Sequence, residues 1–125
     1  MTFTSETIQS KLFSLYLAAH KFHLDTRSFA QHKALGELYE GLFGFSDNIS
    51  EMLMGYQNGK RIGKLSVENP PIYSNEAVDK LIEDGLSFSY ELYQWADNKK
   101  YSDIGNTAQD MSGLFASIKY KLTLS

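Results

Sequence analysis

The sequence predicts an all-α protein: a single four-helix domain over residues 1–125, with one long connection between its second and third helices. Three observations carry that expectation. The only prolines are Pro70 and Pro71, so the stretches 5–58 and 74–123 are free of the strongest helix breaker. Apolar residues recur through both stretches at intervals of three and four, the spacing of one helix face. Each stretch is also broken once by a short run of poor helix formers and capping residues, which divides it into two helices.

The first helix, about 5–25, carries Ile8, Leu12, Leu15, Tyr16 and Ala19 at helical spacing, with Thr4 or Ser5 as its cap. Leu24-Asp25-Thr26-Arg27-Ser28 interrupts the pattern. The second helix, about 28–57, then presents Phe29, Leu35, Leu38, Leu42, Phe45, Ile49 and Leu53. The turn dipeptide Asn58-Gly59 opens a connection that runs through Pro70-Pro71, too long for a tight hairpin and read as a crossover. Ser74 caps the third helix, about 74–98, whose apolar positions include Val78, Leu81, Ile82, Leu86 and Tyr93. The fourth, about 102–123, carries Ala108, Met111, Leu114, Phe115, Ile118 and Leu122. Gly85 and Gly113, inside the last two helices, mark either a close helix approach or a local kink. Short, long and short connections in that order are the ferritin-like arrangement of a four-helix bundle.

Composition narrows the chemistry. A chain of 125 residues with 42% hydrophobic and 14% aromatic content supports one core. Cysteine is absent, which excludes disulfides, thiolate metal sites and cysteine nucleophiles, so any metal must be held by histidine, carboxylate or backbone oxygen. The N-terminus lacks a basic region before its apolar part, and no run approaches membrane-spanning length; the expected location is the cytoplasm, with no membrane partner. Twelve basic against fifteen acidic residues give a net charge of -3, so nucleic acid is not an expected partner. The small groups Lys60, Arg61, Lys64 and Lys99-Lys100 read as solvated loops.

All three histidines, His20, His23 and His32, fall around the first turn. An intrachain di-iron centre of the usual bundle type needs Glu-x-x-His on two helices, a pattern found nowhere in this sequence. On the second helix, His32 is followed by Asp47 and Glu51, which are one turn apart and so share a face. At a rise of ~1.5 Å per residue His32 and Asp47 are separated by ~22 Å and cannot share a metal within one chain. Two chains packed antiparallel about a two-fold axis would bring the histidine end of one helix beside the carboxylate end of the other.

The order His20, His32, Asp47, Glu51, with gaps of twelve, fifteen and four, resembles the ferroxidase motif of the Dps mini-ferritins. LYLAAH at the end of the first helix, HKALGELYEGLFGFSDNISE in the second and YSDIGNTAQDMSGLFASIKYKL in the last are similar to that family's segments. The resemblance implies an iron-binding ferroxidase that draws His20 and His32 from one subunit and Asp47 and Glu51 from its neighbour. His32 and Glu51 would then be central to the chemistry, with Glu51 able to bridge two metals. It further implies a homo-oligomer, up to a twelve-subunit shell, that oxidises Fe(II) with peroxide or oxygen, stores the Fe(III) and protects against oxidative damage. Mixed imidazole and carboxylate ligands suit iron. A different class of function stays open beside it: a non-enzymatic binding or assembly module that has kept the scaffold.

Plainer readings accompany the other polar residues. His23, one turn from His20, joins the ligands or is a half-exposed histidine near a helix end. Asp25 is a turn residue or a partner that orients an imidazole. Glu37 and Glu40 solvate the outer face or line an iron surface. The aromatic residues, with Met52 and Met54, read as packing.

Overall fold

The computed structural model describes residues 1–124 and contains four helices: α1 (Ser5–Asp25), α2 (Phe29–Tyr56), α3 (Asn75–Lys99) and α4 (Ser102–Lys121). Local chemistry sets their ends. The Thr4 side chain accepts the Thr7 N–H at 3.1 Å while Thr7 Oγ1 accepts the Thr4 N–H at 2.9 Å, a reciprocal cap that starts α1. Ser28 and Ser74 cap α2 and α3 by accepting from the Gln31 and Ala77 amides. After α2 the chain turns at Asn58 and Gly59, both with positive φ (60° and 82°), the backbone region that asparagine and glycine tolerate best.

α1 and α2 form one antiparallel hairpin and α3 and α4 another; α1 packs on α3, and α2 on α4. The four apolar faces close on a core that includes Ile8, Leu12, Phe22, Leu35, Leu42, Ile82, Leu92, Met111 and Phe115. Burying each such large side chain contributes roughly 1.5–3 kcal/mol. Two glycines allow close helix approach: a Cβ on Gly41 would lie 2.5 Å from Leu114, between the two hairpins, and one on Gly85 would lie 2.2 Å from the Phe115 ring, within the α3–α4 hairpin.

The 57–74 connection has no helix and runs along α1. Gly63, Ser66 and Glu68 donate their backbone N–H groups to Glu6 Oε1 (3.3 Å), Ser10 Oγ (2.9 Å) and Ser14 Oγ (3.0 Å). These acceptors lie four residues apart, on one face of α1. At the far end the Tyr73 hydroxyl donates to Gln31, and its ring meets Phe22 edge-on at 6.0 Å. The connection therefore returns the chain to the end at which α2 began, so α3 runs parallel to α2 and antiparallel to α1. No helix among the described residues is long and apolar enough to cross a membrane.

Candidate metal centre

The α1–α2 hairpin turns one face away from α3 and α4. α1 supplies Gln9, Phe13, Tyr16, His20 and His23 to it, at the three- and four-residue spacing that keeps side chains on one side of a helix. α2 answers in antiparallel register. His23 covers Gly36, whose added Cβ would lie 3.0 Å from the imidazole. His20 stacks on Tyr39 with ring centroids 4.4 Å apart, Tyr16 meets Phe43 at 5.8 Å, and Gln9 Nε2 donates to Ser50 Oγ at 3.2 Å. Phe43 is 64% exposed and Phe13 39%, so this aromatic row is open on its outer side.

The histidines sit at the turn end of the row. His23 and His32 stack with centroids 3.8 Å apart and 19° between planes. His23 Nδ1 lies 2.7 Å from the His32 carbonyl oxygen, and His32 Nδ1 lies 2.9 Å from that of His23. A carbonyl oxygen only accepts, so each Nδ1 donates its hydrogen, and each neutral ring keeps its lone pair on Nε2. Imidazoles that ligate metals are held in this way, with one ring nitrogen given to a backbone or carboxylate acceptor and the other left free. The donor chemistry fits a metal such as iron.

Asp47 and Glu51 stand at the opposite end of the same face, exposed and one turn apart, and neither forms an ion pair among the described residues. They border a pocket of about 290 Å³ that is walled by Phe13, Tyr16, Phe43 and Met54. Ser46 and Ser50 also line this pocket. The Ser46 hydroxyl is buried without a hydrogen-bond partner.

Within one described chain, no three His, Asp or Glu residues gather closely enough to hold a metal ion. His20 and His32 lie on the predicted face, but the ring that pairs with His32 is His23; His20 pairs with Tyr39. Two signals marked His23: its i+3 spacing from His20, and its place across the turn from His32. Asp25 orients no imidazole, because it accepts an ion pair from Lys21 at 2.8 Å while backbone carbonyls orient the rings. Glu37 is occupied by Lys121 at 2.6 Å. Met52 packs against the core, whereas Met54 lines the pocket.

An uncharacterized 14.6 kDa protein in the mobD-ri intergenic region of Enterobacteria phage T4 is 26% identical over 106 residues, which cover 84% of this chain and 77% of that relative. No solved structure is significantly similar. The model of a family of unknown function, DUF5856, matches residues 23–122, a span that takes in the whole of α2 with His32, Asp47 and Glu51, and the chain belongs to that family.

Proposed function

We propose that this chain is an iron-binding ferroxidase of ferritin-like architecture that works as a two-fold homo-oligomer. In this reading His20 and His32 of one subunit, joined by His23, face Asp47 and Glu51 of another. One observation carries the proposal: the histidines and the unpaired carboxylates occupy opposite ends of a single exposed face, ~22 Å apart along α2. A second copy laid antiparallel on that face brings them together twice, once at each end.

The ligands would be pre-organised on the histidine side. Reciprocal Nδ1–H donation fixes both rings before metal arrives, so little side-chain entropy is lost on binding. Carboxylates from the other subunit offset the charge of Fe(II) and tolerate the higher charge of Fe(III). Two Fe(II) supply the two electrons that, with two protons, reduce one hydrogen peroxide to two waters. Sequestering the product requires a closed assembly of such dimers, for which the sequence resemblance implies twelve subunits.

The test is Fe(II) added anaerobically, followed by hydrogen peroxide or oxygen, with Fe(III) formation followed by absorbance in wild type and in Glu51→Ala. Rapid oxidation that collapses in the variant supports the ferroxidase. Equal, buffer-like rates in both would overturn it. A second reading, a metal-independent binding or assembly module, draws on the exposed row Phe13, Tyr16 and Phe43, which offers a contact surface without any metal. It predicts self-association that is unchanged by chelator and by Glu51→Ala.

A further inference from the structure

We propose that the antiparallel dimer has one fixed register, in which Phe29 and Lys33 of each copy plug the pocket beside Asp47 and Glu51 of the other. The inference rests on the two-fold pairing proposed above, and it names what sets that pairing. Along the outer side of α2, Phe29, Lys33, Gly36, Glu40, Phe43 and Asp47 recur at spacings of four, three, four, three and four, and Met54 continues the same side. This stripe is self-complementary about a two-fold axis that crosses the helix between Gly41 and Leu42. Phe29 then faces Met54, Lys33 faces Ser50, Gly36 faces Asp47 and Glu40 faces Phe43.

Two features agree with that register. The first is the match between plug and pocket. Phe29 is 65% exposed, and its ring carries the Lys33 ammonium 5.7 Å from its centroid, a cation without an ion-pair partner among the described residues. The pocket of about 290 Å³ offers the complement: apolar walls at Phe13, Phe43 and Met54, and a rim of two unpaired carboxylates. The second is the Ser46 hydroxyl, a buried polar group at this pocket that finds no partner within the single chain. The same axis brings His32 to Glu51 and Gly36, under His23, to Asp47, so the register that seats the plug also assembles the ligands.

The absence of cysteine from the chain makes the register directly readable. Phe29→Cys and Met54→Cys are prepared separately, freed of metal with chelator, and oxidised under glutathione buffer alone and as an equimolar mixture. The mixture is expected to yield a covalent dimer joining one chain of each kind, and each variant alone far less, because a disulfide needs Cβ atoms about 3.5–4.5 Å apart. Sedimentation equilibrium of Phe29→Ala, at a site too exposed to affect folding, is expected to show a dimer dissociation constant raised at least about tenfold. Equal cross-linking in the single variants and the mixture, an unchanged constant in Phe29→Ala, or a wild type monomeric at every concentration would overturn the register. Selective cross-linking without Fe(II) oxidation would support the register and remove the ferroxidase. Oxidation that depends on Glu51 without selective cross-linking would remove the register alone.

Discussion

Replacing Gly85 by alanine tests the packing of α3 against α4 within the second hairpin. In an exposed helix interior the change would stabilise by roughly 0.5–1 kcal/mol, since alanine restricts the unfolded chain more than glycine does. At this position the added Cβ lies 2.2 Å from both Cε1 and Cζ of Phe115, where ordinary contact begins near 3.4 Å. The ring must therefore move by more than an ångström, and Phe115 is completely buried. Overpacking of this kind costs about 1–3 kcal/mol, and with three ring atoms inside contact distance the upper part of that range applies. After subtraction of the helix gain, the net loss is about 2 kcal/mol. Gly113→Ala is the matched control: Gly113 is also inside a helix but is exposed, and its Cβ would meet nothing within 4 Å. Urea unfolding followed by helical circular dichroism, at one fixed protein concentration, should shift the midpoint down for Gly85→Ala and slightly up for Gly113→Ala. Adding Phe115→Leu should make Gly85→Ala less costly than it is alone. Stabilisation by Gly85→Ala equal to that by Gly113→Ala would refute the argument.

Two further predictions follow pH. The backbone amides of Glu6 itself and of Gly63 hold the Glu6 carboxyl below its ordinary value of 4.5, so the carboxylate favours the folded connection above that value and the contribution disappears as pH falls through the lower, folded value. The protection of the Gly63 amide, its exchange rate taken relative to the intrinsic rate at each pH, should fall on acidification in wild type, and Glu6→Gln should remove that pH dependence; an identical profile in the variant would refute the contact. Tyr56 donates to Asp103 Oδ1 at 2.6 Å, and this bond, followed by burial, raises the phenol above its ordinary 10.0. Its contribution is present below 10 and is lost as pH rises through the folded value. In the Asp103→Asn variant the Tyr56 phenolate should form at lower pH than in wild type, as read by ultraviolet absorbance in a background with the neighbouring Tyr101 changed to Phe.

The helices were legible because their determinants are local. Thr4, Ser28 and Ser74 act as caps within three residues, and Asn58-Gly59 turns the chain with its own backbone. The course of the crossover was not, because its hydrogen bonds join Gly63, Ser66 and Glu68 to residues more than fifty positions away. Gly85 and Gly113 read alike in sequence; only the position of Phe115 separates a close approach from an open surface. In the candidate site, helical spacing was enough to put Asp47 and Glu51 on one face. It could not reveal that His23 and His32 exchange hydrogen bonds through each other's carbonyls, because that depends on how Thr26, Arg27 and Ser28 reverse the chain. Ser46 was equally silent, since a serine in a helix normally satisfies itself or meets solvent.

The interior of the bundle explains why the proposed metal site lies outside it. The buried polar residues are Ser10, Ser46, Ser50 and Ser89, and none of them carries a charge or titrates near neutral pH. Among the described residues the core therefore offers no carboxylate or imidazole to a metal, and placing one there unpaired would cost several kcal/mol. Charged groups stay on the surface, where water weakens each electrostatic contact. A site built from them gains strength only when something excludes that water. The open α1–α2 face, with its aromatic row between histidines and carboxylates, is shaped for such a cover. A second copy of the same face would supply the cover and the missing ligands in one step, which makes association and metal binding mutually reinforcing. In the proposed assembly metal should thus tighten the dimer, and the dimer should tighten metal, by the same factor.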